Sequence, residues 1–241
     1  MTITDKTILV TGANRGLGQA LVEEALRRGA KRVYAASRQP FAHSDDRVVP
    51  LIMDVTDWAQ IQRGVESVES LDILINNAGV SLPDDMSSRA AFEQHFDVNV
   101  YGPLMVTQAL LPSLTESRGR IVNVVSIGAF AAVPILPAYS ASKAAAFSVT
   151  QSLRALLAGQ GVKVHAVLPG PIDTDMIRDL PIPKTPPESV AQAIFDGVEN
   201  GDEEIFPDPF SEMQAESWRV GAAKELERQN AALVAGQPIA A

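Results

Sequence analysis

Residues Thr7–Gly18 read TILVTGANRGLG: a β-branched apolar run, three glycines in close succession, and the start of an amphipathic pattern. The run TILVT predicts a short buried strand that stops at Gly12. The pattern from Leu17 to Arg28 predicts a helix that ends at Gly29. Gly12, Gly16 and Gly18 let the backbone turn sharply, approach a pyrophosphate and pack the helix against the strand. The helix start offers unpaired N–H groups to phosphate oxygens. An ordinary strand-to-helix turn has a similar composition. The place of this one, at the first such junction of an alternating pattern, favours phosphate binding.

Outward from it, the alternation continues. Arg32–Ser37 (RVYAAS), Val48–Val55, Leu71–Gly79, Gly119–Ser126 and Val162–Gly170 are mostly apolar runs and predict further strands. Helical patterns lie between them: one after Asp57, which can cap it, a long one over Ser88–Glu116, and one over Pro137–Ala158. Pro171 to Pro187 is proline-rich and reads as a loop. A helix over Pro187–Glu199, a short strand at EIFPD and a polar helix over Ser211–Leu233 follow, with Trp218 and Leu226 as expected buried anchors. Continuously apolar strands alternating with helices imply an α/β fold, a parallel sheet covered on both faces. No linker, repeat or low-complexity tract interrupts the chain, so residues 1–241 are expected to form a single domain.

The 241 residues carry a formal charge of −9 and no cysteine. Thiolate chemistry, Cys-based zinc sites and disulfides are excluded, which fits a reducing cytoplasm. The acidic balance, with no basic cluster longer than Arg27-Arg28, argues against nucleic acid. No apolar run approaches a membrane span, and no basic n-region with an apolar core opens the chain. His43, His95 and His165 form no constellation, and no metal site is expected.

Tyr139 and Lys143, in YSASK, stand one helical turn apart. Free tyrosine titrates near 10, and a neighbouring ammonium favours its phenolate, so Lys143 is expected to lower the Tyr139 pKa. Such a phenol can pass a proton to a developing alkoxide. Thr11-Gly-x-x-x-Gly-x-Gly18, Asn76-Asn-Ala-Gly79, Asn99, Ser126, Tyr139-x-x-x-Lys143 and Pro169-Gly170 occur in that order. Over Thr7 to about Thr174 the chain resembles the short-chain dehydrogenase/reductase family, in its shorter single-domain branch.

The resemblance implies a Rossmann-type doubly wound sheet, with a cofactor half at about 1–125, a catalytic and substrate part at about 126–210 and a C-terminal helix at about 211–234. It implies a catalytic set of Asn99, Ser126, Tyr139 and Lys143. Ser126 would hold the carbonyl oxygen, Lys143 the nicotinamide ribose, and Asn99 a water that relays protons to Lys143. Gly12, Asn14, Arg15, Gly16, Leu17, Gly18, Asn77, Ala78 and Gly79 would line the cofactor with Tyr139 and Lys143. Pro169, Gly170, Ile172 and Thr174 would lie at its nicotinamide end. Asp54 and Val55 would border the adenine, although Asp54 equally suits a cap for the following turn. Ser37 stands where NAD-preferring dehydrogenases place an acid. Arg38 and Arg15 can pair with a 2′-phosphate instead, so NADP(H) is the expected cofactor.

Substrate contacts are expected from Ser126, Ile127, Gly128, Leu136, Tyr139, Pro171 and Ile177, with Ser81, Leu82, Val133, Ile135 and Leu180 as further candidates. Val133 and Ile135 suit core or lid packing as well. These residues are mostly apolar, which points to an apolar or aryl ketone or aldehyde reduced by NADPH. Oxidation of a specific alcohol, imine reduction, or a non-catalytic NADP(H)-binding regulator are the alternatives. In the family, the small residues Ala141, Ala144 and Ala145 lie on a subunit-packing helix. A homodimer is expected. The divergent end after Thr174 argues against the family's tetramer without excluding it.

Overall fold

The computed structural model describes residues 1–234. Seven strands form one parallel sheet in the order β3-β2-β1-β4-β5-β6-β7. They are β1 (Thr7–Thr11), β2 (Arg32–Ser37), β3 (Val48–Ile52), β4 (Ile73–Asn76), β5 (Arg120–Val124), β6 (Lys163–Val167) and β7 (Glu204–Ile205). Every residue of β1 is buried, because the strand is central and covered on both faces. Val10 pairs with Ala35 on one side and Ile75 on the other. The chain therefore builds outward from β1 to β3, then returns to the other side of β1. That reversal opens a crevice at the carboxyl ends of β1 and β4, where such sheets bind ligands.

Helices α1 (Gly16–Arg27) and α6 (Pro187–Asn200) cover one face, packing Leu21, Ala25, Ile194 and Phe195 on Ile8, Val10 and Ile73. On the other face lie α2 (Trp58–Glu66), α4 (Gly102–Glu116) and α5 (Pro137–Leu157). There Ile61, Val106, Leu110 and Leu157 pack on Leu9, Leu74 and Ile121. Asp57 caps α2, accepting the Gln60 N–H at 3.1 Å, as the sequence suggests. Pro50 is tolerated in β3 because that strand is an edge.

Three stretches depart from the sequence reading. The strands end earlier than their apolar runs: β3 stops at Ile52, where Asp54 to Asp57 turn into α2, and β4 at Asn76, where Asn77 and Ala78 bond to Thr11. The long helix over 88–116 is two helices, α3 (Arg89–Phe96) and α4, joined by a π turn at Asp97–Tyr101. The polar C-terminal helix is three short ones: α7 (Pro209–Glu212), α8 (Ala215–Arg219) and α9 (Ala222–Ala231). The Asp208 side chain caps α7 early, and Gly221 breaks the chain between α8 and α9. Trp218 is half-buried and stacks on Phe130 with centroids 4.5 Å apart. Leu226 is exposed, so the second expected anchor fails. The buried contact of α9 is Lys224 instead.

His165 on β6 is buried. Its Nδ1 lies 2.6 Å from the Asp202 carbonyl and its Nε2 3.2 Å from the Arg120 guanidinium. Burial pushes its pKa down to about 4; the Asp202 bond opposes this and the nearby Arg120, Arg154 and Lys163 charges add to it. The unfolded imidazole takes its proton near 6.5, the folded one only near 4. The group's stabilisation is thus complete above pH 6.5 and is lost as the pH falls to 4. At about 1.4 kcal/mol per pKa unit this is on the order of 3 kcal/mol. Denaturant unfolding from pH 7 to 4 should show that slope, and His165→Gln should flatten it.

Candidate active site

The glycine turn is shaped by steric demands on its own backbone. Gly12 and Gly16 have φ of +66° and +53°, a region L side chains avoid. A Cβ on Gly18 would lie 2.0 Å from the Gly12 carbonyl oxygen, so no side chain fits there. The Asn77 carboxamide donates to the Thr11 carbonyl at 2.9 Å. The Thr11 hydroxyl in turn accepts the N–H groups of Asn77 and Ala78, both at 3.0 Å. These bonds join the end of β1 to the segment after β4 and hold the turn open. Asn14 and Arg15 are exposed beside it, while the Leu17 side chain belongs to the core.

The next residues, Gly79 and Val80, reach the Tyr139–Lys143 pair. A Cβ on Gly79 would stand 3.3 Å from Asn99 Oδ1 and 3.6 Å from Lys143 Nζ. Asn99 lies in the π turn, where the extra residue in the helical repeat aims its side chain at Val80. Its Oδ1 accepts the Val80 N–H at 2.9 Å. Its Nδ2 donates to the Val80 carbonyl at 3.0 Å and to the Ser142 hydroxyl at 2.9 Å. Ser142 in turn donates to the Tyr139 carbonyl at 2.7 Å. The Asn99 side chain therefore fixes backbone, and Ser142, which the motif reading passed over, completes the link. Its place inside YSASK was the available signal.

Lys143 is buried and donates to the Val124 carbonyl at 2.9 Å. Burial pushes its pKa down to about 8. Its ammonium lies 5.7 Å from the Tyr139 ring centroid. Burial accordingly pushes the Tyr139 phenol up, and the bond with Ser126 opposes it only in part. The lowering expected from Lys143 is not what this geometry produces. Ser126 lies two residues beyond the end of β5 and caps the turn Ile127–Ala129, accepting the Gly128 N–H at 3.1 Å. Seven residues, 130–136, connect that turn to α5, whose first turn carries Tyr139 back to Ser126.

The other predicted residues divide. Ser37 is buried and donates to the Gln39 carbonyl, whereas Arg38 is exposed and ion-paired with no acid among the described residues. Arg15 is paired with Asp175 at 3.2 Å. Asp54 accepts from the Thr56 N–H and hydroxyl, so it serves at least as the turn cap, and Val55 is buried against Gly102. Pro169 accepts the Ile127 N–H at 3.0 Å, and Gly170 donates to the Asp208 carboxylate at 2.7 Å. Thr174 packs over Gly16, folding the loop after β6 back onto the glycine turn. Ile172 bridges to Thr185. Leu136, Pro171 and Ile177 are half-buried and Gly128 is buried. Sequence reasoning missed Asp84, Asp208 and the Phe130–Trp218 stack, all long-range partners with no local motif.

The comparisons agree with this arrangement. A short chain dehydrogenase from Burkholderia cenocepacia, solved in complex with NADP, has a TM-score of 0.86 to this chain. It is 36% identical, over 95% of this chain and 98% of its own. An uncharacterized oxidoreductase of Staphylococcus aureus is 34% identical over 209 residues, 80% of this chain and 90% of its own length. The ketoacyl reductase HetN of Nostoc sp. is 32% identical over 228 residues, 85% of this chain and 79% of its own. A family model described as short chain dehydrogenase matches residues 6–184. On the match, the sheet and the Ser126–Tyr139–Lys143 geometry together, the chain belongs to the short-chain dehydrogenase family of oxidoreductases.

Proposed function

We propose that this protein is an NADPH-dependent reductase of ketones and aldehydes, reversible as an alcohol dehydrogenase. The observation that carries the reading is the bridge formed by residues 76–79. Ala78 packs on Gly12 of the glycine turn and Gly79 packs beside Lys143, so a dinucleotide held at the turn extends toward Tyr139. The cradle fits a pyrophosphate, since backbone that no side chain can enter is free to approach it. When bound, the reduced nicotinamide supplies hydride to the carbonyl carbon. Tyr139 gives its phenolic proton to the carbonyl oxygen, and the alcohol is released. Ser126 holds that oxygen beside the phenol, and Lys143 supports the phenolate left behind.

Arg38 is placed to pair with a 2′-phosphate. A hydrogen bond to a charged group is worth about 1.5–3 kcal/mol, so one such contact favours NADPH over NADH by roughly ten- to a hundredfold. The test is NADPH and NADH oxidation in parallel over a panel of aryl and aliphatic ketones and aldehydes. A preference for NADPH that collapses in Arg38→Asp supports the reading. Equal catalytic efficiency with both cofactors, unchanged in Arg38→Asp, removes the selectivity claim. Tight NADPH binding without turnover on any carbonyl favours a regulator.

The substrate is an apolar, uncharged carbonyl compound. The loops beyond β4, β5, β6 and β7 share the carboxyl end of the sheet, and they expose Met86, Ile135, Met176, Ile182 and Phe210. Asp85, Asp173, Asp179 and Glu212 stand exposed among them. Arg178 is bound to Asp175, and Lys184 donates to the Arg178 carbonyl. An anionic handle meets repulsion there. The acetoacetyl thioester of N-acetylcysteamine should be reduced with a kcat/KM roughly tenfold above that of acetoacetyl-coenzyme A, and added salt should narrow the gap. The reverse order would assign the site to a carrier-bound substrate. A homodimer in the cytoplasm completes the proposal. Among the described residues no helix is long and apolar enough to cross a membrane.

A further inference from the structure

Three alternate residues after β4 are each pegged by a different partner. Val80 is held by the Asn99 side chain through both its N–H and its carbonyl. The Leu82 N–H donates to His95 Nε2 at 3.0 Å. The Asp84 carboxylate accepts the Ala138 N–H at 3.2 Å, capping the N-terminus of α5 one residue before Tyr139. The α5 N-cap position, Leu136, supplies no side-chain cap of its own. Asp84, distant in sequence, does that work and ties the segment to the catalytic turn.

The middle peg is the unusual one. His95 is on α3, 0% exposed, and has both ring nitrogens engaged. Its Nδ1 lies 2.6 Å from the Ala91 carbonyl, so Nδ1 carries the proton and Nε2 keeps the lone pair that Leu82 uses. An apolar residue would fill the space and leave the Leu82 N–H without its acceptor. A core-filling role alone does not call for an imidazole.

We propose that His95 is a positioning residue for the reaction, on the reading of this protein as a carbonyl reductase. It fixes Leu82 as one wall of the cleft. Through the two-residue step to Asp84 it also fixes the first turn of α5, which presents Tyr139. It touches neither cofactor nor substrate, so its effect falls on substrate fit and product stereochemistry rather than on NADPH affinity.

The test uses His95→Gln, His95→Asn and Asp84→Ala in the full chain. Glutamine can place an acceptor where Nε2 stands; asparagine is too short. His95→Asn should shift the ratio of kcat/KM for a bulky aryl ketone against a small one by roughly ten- to a hundredfold and lower enantiomeric excess, with the NADPH Kd within about twofold. His95→Gln should restore both. Asp84→Ala, which removes the acceptor, should shift the same two readouts in the same direction. Amide exchange at Leu82 reads the peg without any turnover: slow in the wild type and His95→Gln, fast in His95→Asn. Fast exchange in the wild type overturns the proposal. So does a folded His95→Asn with unchanged ratio and enantiomeric excess. If His95→Asn does not fold, unchanged readouts in Asp84→Ala overturn it. A wild type that binds NADPH and reduces no carbonyl defeats the reductase reading, and the exchange measurement still decides the peg.

Discussion

Tyr139→Phe should bind NADPH with a Kd within about twofold of wild type and reduce carbonyls with kcat lower by roughly 10²–10⁴, the usual contribution of a positioned general acid. The split follows from position. Tyr139 is half-buried with its hydroxyl beside Ser126, and phenylalanine keeps the ring in its site. The groups assigned to the pyrophosphate lie on the glycine turn and are untouched. Burial raises the Tyr139 pKa, which keeps the proton on the phenol at neutral pH, the form that reduction requires. Stopped-flow hydride transfer and NADPH fluorescence titration together check the prediction. Wild-type kcat in Tyr139→Phe would place the proton donor elsewhere.

The largest stability effect is expected far from the chemistry. Lys224 on α9 is 2% exposed and pairs with Glu204 of β7 at 2.9 Å, Glu203 at 2.7 Å and Glu227 at 3.0 Å. Arg154 of α5 joins the same cluster through Glu204 at 2.7 Å and through Glu227. Two cations thus hold three carboxylates where α5, β7 and α9 meet. Lys224→Met removes one cation and leaves the buried Glu204 dependent on Arg154 alone. Breaking a buried pair in this way costs about 3–5 kcal/mol. For a chain of this size, at about 2–4 °C per kcal/mol, Tm should fall by roughly 6–20 °C. Leu226→Ala on the same helix, at an exposed position, should stay within about 0.5 kcal/mol. Equal losses for the two variants would mean that α9 is held by apolar packing. Calorimetric melts of both decide it.

Much of the molecule was legible in the chain, for a definable reason. The strands of the parallel sheet are buried on both faces, so each is written as an unbroken apolar run with a turn residue at its end. The glycine turn is legible because steric exclusion admits no other residue at Gly18 and strongly disfavours others at Gly12 and Gly16. Ser126, Tyr139 and Lys143 could be singled out as candidates because Ser126 follows a strand, the other two stand one turn apart on a helix, and all three fall in the family's motif order.

Other features had no local signature. The π turn that aims Asn99 at Val80 uses residues that read as ordinary helix, since a five-residue interruption is too short to show against an apolar pattern. The C-terminal region reads as one polar helix until the Asp208 cap and the break at Gly221 divide it. Leu226 was expected inside on hydrophobicity, yet the buried face of α9 belongs to Lys224, because carboxylates gathered from β7 and from α9 itself make burial of an ammonium favourable there.

By itself, the sequence determined the alternation of elements, the burial of the sheet and the shape of the glycine turn, and it singled out the side chains proposed to react. Each depends on residues that are neighbours along the chain or one helical turn apart. Only the tertiary structure decided the direction of the Tyr139 pKa, the pegging of Val80, Leu82 and Asp84, and the ion cluster that holds α9. Those depend on burial and on partners brought together by folding, and the distances that set them exist only once the sheet and its helices have packed.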